Sequence, residues 1–388
     1  MDPDVIIVGA GPAGLSTALH LAQLAPDLAA RALVLEKAHH PRPKLCGGGL
    51  LPDADVILAG LGLDARRVPY AEVDWARFDY DRRGFRMRPD PRRPFAFRVI
   101  RRSEFDAWLA QAARQRGVQI REGIAVRSVT PDEAGVSVET EAGILRAQVV
   151  VGADGSKGVV RRAVVPREET HTARLLEIVT EPRPDGSFHI QSDSYFDFIY
   201  VPQGILGYTW DFPAVEDGQP VRVRGVYDSN VQSVPDAIPL REALADEFRR
   251  HGYELGDYRL EGHPLRWFEK DTPFAAPRLL LAGDAAGADA LFGEGISIAL
   301  GYGRLAALAL RDAFARGDFS FRGYAAEVRR SELGKALGRR TWWARFFYRL
   351  RWPWLQRLVW RRLGRPVTWV MQTFMIGWAA WQEKRTRI

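Results

Sequence analysis

Gly9, Gly11 and Gly14 fall in the run Val5-Ile-Ile-Val-Gly9-Ala-Gly11-Pro12-Ala13-Gly14, and Glu36 closes a second apolar run, Ala32-Leu-Val-Leu. These residue types at this spacing suit a dinucleotide. Gly9 permits a tight turn and Gly11 lets the backbone approach a pyrophosphate. Gly14 lets a helix pack close to the strand, and an acid about 20 residues further on accepts hydrogen bonds from a ribose diol. The free N–H groups of the helix start then face the phosphates. Two more glycine turns carry an acid: Gly152-Ala153-Asp154-Gly155, with Arg161 downstream, and Gly283-Asp284. The single cysteine lies in Lys44-Leu45-Cys46-Gly47-Gly48-Gly49, whose glycines permit close approach to a ligand.

The pattern of apolar residues implies the elements that must position these groups. Strand, helix and strand are expected over 5–36, a short helix near 52–61, and strands leaving the first domain over 65–100. Arg102 opens an amphipathic helix to about Arg116, with Ser103 as N-cap and Asp106 three residues later. Strands follow near 118–121, 124–130, 135–140 and 144–151. Alternating patterns at 174–180, 187–191, 194–201, 205–212 and 221–226 read as an antiparallel sheet, with a helix near 237–251. Arg278–Ala282 is a buried strand, and Gly293-Glu294-Gly295-Ile296 starts a helix to about Arg316. The last stretch reads as helical, with breaks at Gly338, Pro353 and Pro366.

The fold class is therefore α/β, a Rossmann-type domain with an antiparallel sheet inserted into it and a helical tail. The dinucleotide domain is expected in three parts, 1–70, 101–165 and 271–325. Residues 71–100 and 166–270 form the substrate sheet, and 326–388 the C-terminal region.

In their order along the chain, these segments resemble the cofactor fingerprints of the hydroxylase-like flavoproteins. The resemblance implies FAD held by Gly9, Gly11, Pro12, Ala13, Gly14, Glu36, Lys37, Cys46, Gly47, Arg102, Val126, Asp154, Gly155, Gly283, Asp284, Gly293, Gly295 and Ile296. Arg102 would lie near the phosphates and Asp284 at the ribityl chain. The helix after Gly293 would point its N–H groups at the pyrimidine end of the ring. Taken singly, these segments also read as turn glycines, helix caps and a surface arginine.

Two further motifs narrow the resemblance. Pro43-Lys44-Leu45-Cys46-Gly47-Gly48-Gly49 and Tyr208-Thr-Trp210-Asp-Phe212-Pro213 are similar to motifs of the geranylgeranyl reductase family, which saturates isoprenoid double bonds. The likeness spans roughly residues 1–320. It departs at Arg222-Val-Arg224-Gly225, where the family has a further glycine motif, and at Ala290, where it commonly has proline. The resemblance implies reduction of a lipid C=C bond by reduced flavin, with Cys46, Gly47, Tyr208 and Trp210 at the reacting centre. Tyr208, Trp210 and Phe212 alternate along a strand and so share one face, as a lipid wall or as plain sheet core. Arg222 or Arg224 is the guess for an acidic substrate group. Two rivals stand beside this reading: an FAD monooxygenase or halogenase on the same fold, and a non-catalytic flavin or lipid carrier. No second strand–GxGxxG–helix unit offers a resident nicotinamide site, so NAD(P)H visiting transiently or a ferredoxin-like donor would supply electrons.

Composition excludes little. The chain has 388 residues, 46% hydrophobic and 27% charged, ordinary for a globular protein. One cysteine rules out an internal disulfide framework and fits a reducing compartment. Seven histidines show no metal-ligand spacing, His39 and His40 reading as solvated loop residues, so no metal is expected. Residue 4 already leads into a core strand, so no signal peptide is expected. The net charge of +7 is uneven, because residues 339–388 hold twelve Lys/Arg against one acid and eight of the twelve tryptophans. That tail carries no nucleic-acid module, and Trp with Arg also suits a membrane interface. The expectation is a monomeric, cytoplasmic protein with peripheral membrane contact through 339–388. The alternative is a helical cap packed on the body.

Overall fold

The computed structural model describes residues 2–88, 97–166, 172–182 and 192–380. The expected strand at 187–191 and the tail's last residues, 381–388, lie outside these. Four wholly buried apolar runs, Val5–Val8, Ala32–Leu35, Val149–Gly152 and Leu279–Leu281, form the centre of a six-stranded sheet. Its order is Ala275–Ala276, Leu279–Leu281, Val149–Gly152, Val5–Val8, Ala32–Leu35, Gln119–Arg121, and only the first strand is antiparallel. Continuous apolar runs are what a parallel sheet covered on both faces requires. The register aligns Val8 with both Leu35 and Gly152, and Gly152 with Leu281. The strands therefore end at one level, which brings Gly9, Glu36, Ala153 and Gly283 to a common edge, where ligands bind in such sheets.

The helix Pro12–Leu24 packs on this sheet, and Ile296–Arg316 packs alongside that helix. A Cβ on Gly303 would stand 2.5 Å from the Ser16 side chain. Glycine at that position is what lets the two backbones approach.

The second sheet has seven strands: Glu261–Arg266, Thr172–Thr180, Gln219–Asp228, Gly207–Glu216, Ser194–Asp197, Ala76–Tyr80 and Arg83–Met87. All neighbours are antiparallel except Ser194–Asp197 with Ala76–Tyr80. The 65–100 segment thus contributes strands to this sheet. A small sheet of Gly49–Leu50, Phe97–Ile100 and Tyr70–Val73 ties the cysteine loop to it.

Four local expectations are corrected. Ser103 does not cap its helix, which begins at Arg102, and Asp106 instead binds Arg102 through two bonds of 2.8 and 2.9 Å. The single strand expected at 144–151 divides into Gly143–Ala147 and Val149–Gly152, since the first half pairs in a hairpin and the second joins the parallel sheet. Gly338 does not break the tail, lying inside the helix Glu332–Phe347. Good helix formers flank it, and a mid-helix glycine costs only about 1 kcal/mol. His40 is not solvated: its buried ring contacts Glu122 at 2.8 Å and the Ala10 carbonyl at 3.1 Å, while His39 is exposed.

The tail continues as Pro353–Arg362 and Gly364–Val370, then a wide turn, Met371–Met375, closed by the Ile376 N–H on the Met371 carbonyl. Pro353 opens a helix, and Pro366, in the first turn of the next, has no N–H for the Arg362 carbonyl, so the helix breaks at Leu363. No helix among the described residues is long and apolar enough to cross a membrane.

Candidate active site

A cavity of about 760 Å³ runs from the carboxyl edge of the parallel sheet to the aromatic face of the second sheet. At one end, Gly9 adopts φ +103°, and a Cβ there would lie 2.4 Å from the Ala153 carbonyl oxygen. Glu36 is buried and accepts from the Ala10 N–H at 2.9 Å and the Ala38 N–H at 3.1 Å. Arg42 approaches both Glu36 (3.4 Å) and Asp106 (3.3 Å). The Arg42 and Arg102 guanidinium groups each stand 3.7 Å from where a Gly11 Cβ would be. Burial opposes the Arg102 charge, but its Asp106 pairing overrides this and holds it firmly cationic.

Asp154 accepts from the Val160 N–H at 3.1 Å through Oδ2, while its Oδ1 has no hydrogen-bond partner among the described residues. Burial lifts its pKa to about 6. Asp284 is likewise pushed up by burial, against the pull of Lys44 and Arg102. An acid behind a glycine turn, two cations at the phosphate position and an orphaned carboxylate oxygen fit a dinucleotide such as FAD. Opposite them, Gly293, Gly295 and Ile296 line the cavity at the start of the 21-residue helix Ile296–Arg316. That helix end favours negative charge nearby.

The middle of the cavity is the cysteine loop. Cys46 Sγ accepts from the Gly48 N–H at 3.4 Å, and the Cys46 N–H donates to Glu177 Oε1 at 3.3 Å. Burial pushes the thiol up, with Arg102 pulling the other way. Glu177 is almost fully buried, its Oε2 has no hydrogen-bond partner among the described residues, and burial raises its pKa to about 7. Lys44 Nζ lies 2.9 Å from His263 Nε2. Burial lowers both groups, His263 to about 3 with the help of the Lys44 charge.

Beyond the loop the walls turn apolar. Tyr208, Trp210 and Phe212 all face the cavity, joined by Phe78, Phe196 and Met371. Trp210 Nε1 has no hydrogen-bond partner among the described residues, and it and the Phe212 ring stand 3.3 Å from a Gly47 Cβ position. Tyr208 donates its hydroxyl to the Phe292 carbonyl, so its proton is engaged in holding the loop before Gly293. Tyr227 (3.0 Å to the Ala290 carbonyl) and Tyr348 (2.7 Å to that of Leu291) hold the same loop.

The residues expected to hold FAD and to form the reacting centre line this one cavity except Gly14 and Gly283, which lie behind it in packing roles. Arg161 turns away and donates to the Ala285 carbonyl, bracing the turn after Asp284. Arg222 and Arg224 are corrected as anion sites. Both are buried on Asp211, at 2.6 and 3.2 Å. Asp211 alternates with the cavity-facing Trp210 and Phe212, so all three charges sit on the opposite face of the sheet. Sequence reasoning missed Arg42, Glu177, His263 and the tail residues Arg340, Met371 and Met375. Only Arg42, close to the glycine and cysteine motifs, had a local signal.

Residues 2–221, more than half of the chain, match the FAD binding domain family. A menaquinone reductase of Mycolicibacterium smegmatis is 28% identical over 78% of this chain and 75% of its own length. Digeranylgeranylglycerophospholipid reductase 1 of Methanopyrus kandleri is 28% identical over 82% of this chain and 83% of its own. A geranylgeranyl bacteriochlorophyll reductase-like protein of Thermoplasma acidophilum shares the fold with a TM-score of 0.77, at 22% identity over 98% and 95% of the two chains.

Proposed function

This chain belongs to the FAD binding domain family, and from that premise we propose that it saturates C=C bonds in the isoprenoid chain of a lipid. The observation that supports this reading is the apolar arm of the cavity. It opens directly from the Cys46 loop and carries Phe78, Phe196, Tyr208, Trp210, Phe212 and Met371 on its walls. A hydrocarbon chain gains about 25 cal/mol for each Å² that such walls remove from water.

Glu36, Arg42, Arg102, Asp154 and Asp284 would hold FAD, which when bound and reduced supplies the electrons. An isolated alkene lacks a carbonyl to take up charge, so a proton must arrive with the electrons and water must be kept away. The aromatic walls exclude water. The Cys46 thiol, kept protonated by burial, holds a proton at the boundary between the polar and apolar arms. The start of the helix Ile296–Arg316, with Lys44 and Arg102, favours negative charge left in the polar arm. NAD(P)H or a ferredoxin-like protein would renew the reducing equivalents.

Anaerobic incubation of the dithionite-reduced, FAD-loaded protein with geranylgeranyl diphosphate, an archaeal-type prenyl lipid and a menaquinone tests this. A gain of two hydrogens per saturated bond, read by mass spectrometry, is expected for at least one of them. No gain with any, together with NAD(P)H-driven oxygen uptake on an aromatic substrate, would replace the proposal with a monooxygenase.

A further inference from the structure

Eight of the nine large apolar side chains exposed among the described residues belong to the tail, with Ile144 the exception. They include Trp352, Trp354, Leu358, Leu363, Trp369 and Phe374. Residues 339–380 also carry nine arginines and no acid. The tail is nonetheless firmly packed on its inner side. Trp360 is buried and stacks on Phe198 with ring centroids 3.9 Å apart, and Trp378 is buried against Gly301. The expected cap and the exposed aromatic face are therefore two sides of one structure.

Between the strand Arg83–Met87 and the helix Gly364–Val370 lies an open groove bearing Arg86, Arg361, Arg362 and Arg365, with Trp369 on its rim. Gly364 makes the groove close-set, since a Cβ there would stand 2.7 Å from the Phe85 ring. Arg361 is committed to the Tyr80 carbonyl at 2.9 Å and to Asp81 at 3.5 Å, and Arg86 lies 4.7 Å over the Trp75 ring. Arg362 and Arg365 are exposed and form no ion pair with any described residue. Two such unneutralised guanidiniums beside a tryptophan match the chemistry of an anionic interface, where the ring sits at headgroup depth.

The adjoining turn Met371–Met375 links this surface to the cavity. Met371 and Met375 line the cavity, while Phe374 of the same turn is exposed. We propose that the outer face of the tail docks on an anionic lipid bilayer, with Arg362 and Arg365 of the groove seating a lipid phosphate and the methionine turn separating that surface from the cavity. The docking does not depend on which reaction the cavity supports.

Flotation of the full-length, FAD-loaded protein with phosphatidylcholine vesicles, and with vesicles also containing phosphatidylglycerol, tests the proposal. Binding to the mixed vesicles that falls as salt rises is expected. An interfacial arginine contributes about a factor of five, so Arg362→Ala with Arg365→Ala should weaken binding about 30-fold. Trp369→Ala with Phe374→Ala should weaken binding to both vesicle types. Unchanged flavin absorbance and thermal melting would show that each variant is folded. Equal flotation with both vesicle types, or an arginine variant that floats like the parent, would overturn the headgroup groove. Absence of flotation, with or without a concentration-dependent dimer, would overturn the docking. So would competition by soluble glycerol phosphate at the level of the vesicles, which would mark a site for free phosphate.

Discussion

The guanidinium of Arg340 stands 3.2 Å from Glu294 and joins the tail helix Glu332–Phe347 to the loop that opens the helix Ile296–Arg316. The same nitrogen is 3.4 Å from Asp289, and Nε donates to the Met375 carbonyl at 3.2 Å. Burial works against the Arg340 charge, and Asp289 with Glu294 more than restores it. Asp289 in turn accepts from the Leu291 N–H at 2.8 Å, while Glu294 accepts from the Ser297 N–H at 2.9 Å. One side chain thus sets the loop that lines the cavity and the turn that closes it.

Arg340→Ala leaves two buried carboxylates without their cation. Breaking a buried pair from one side costs about 3–5 kcal/mol. The expected result is a large fall in melting temperature and early proteolytic cleavage within 350–380. Arg340→Met would soften the loss of packing and leave the charge defect. A variant that melts like the parent would show that the tail is held by apolar packing alone.

Gly11 and Gly14 separate binding from folding. A Cβ at Gly11 meets only the tips of Arg42 and Arg102 at 3.7 Å, and its φ of −86° suits any residue. Gly11→Ala should therefore fold normally and melt like the parent as apoprotein, yet bind FAD at least tenfold more weakly in a fluorescence titration. A Cβ at Gly14 would lie 1.9 Å from the Gly9 carbonyl oxygen, on a turn already set by Gly9's positive φ. Gly14→Ala should cost about 3 kcal/mol or more and appear as insoluble or early-melting protein.

Glu177 governs how stability changes with pH. Burial raises its folded pKa to about 7 from an ordinary 4.5, so the folded state holds the proton more tightly than the unfolded chain. Its contribution is fully present below about pH 4.5 and declines as pH rises through 7. Glu177→Gln keeps an acceptor for the Cys46 N–H and removes the titration. Its melting temperature should track the parent near pH 5 and exceed it at pH 8, by on the order of 2 kcal/mol in stability. A constant difference across that range would assign the titration elsewhere.

Cys46 is the only cysteine, so thiol chemistry reports on one site. Burial raises its pKa, and the thiolate is the reactive form. Iodoacetamide should react slowly at pH 8, with a rate still climbing above pH 9, and FAD should protect the thiol further. Replacing Arg102 by Gln removes the cation that opposes the rise and should slow alkylation again. Rapid labelling at neutral pH, indifferent to FAD, would place the sulfur outside the cavity.

The cofactor end was legible in the sequence because its determinants are local. Gly9, Gly11, Gly14 and Glu36 act through backbone shape and a spacing of one strand–helix–strand unit, and Asp154 and Asp284 each close a strand of the same sheet. The tyrosine–tryptophan–phenylalanine face was legible for the same reason, since alternation along a strand decides it. Lys44 with His263 was not, nor was Arg340 with Asp289 and Glu294. Such pairs join residues 219, 51 and 46 positions apart and leave no periodicity. Arg222 and Arg224 misled because an arginine's type carries no information about which face of a strand it occupies relative to its partners. Only the register of 219–228 against 207–216 puts them beside Asp211.

The contact between Gly303 and Ser16 has one more consequence. With no space for even a methyl group between those helices, the floor under the cofactor end has little freedom to yield. Elsewhere the cavity is lined by two unbranched thioether side chains, Met371 and Met375, on a turn with a looser hydrogen-bonding repeat. A guest of awkward girth is met there by side chains that can change rotamer, while Arg340 holds the backbone of their turn in place.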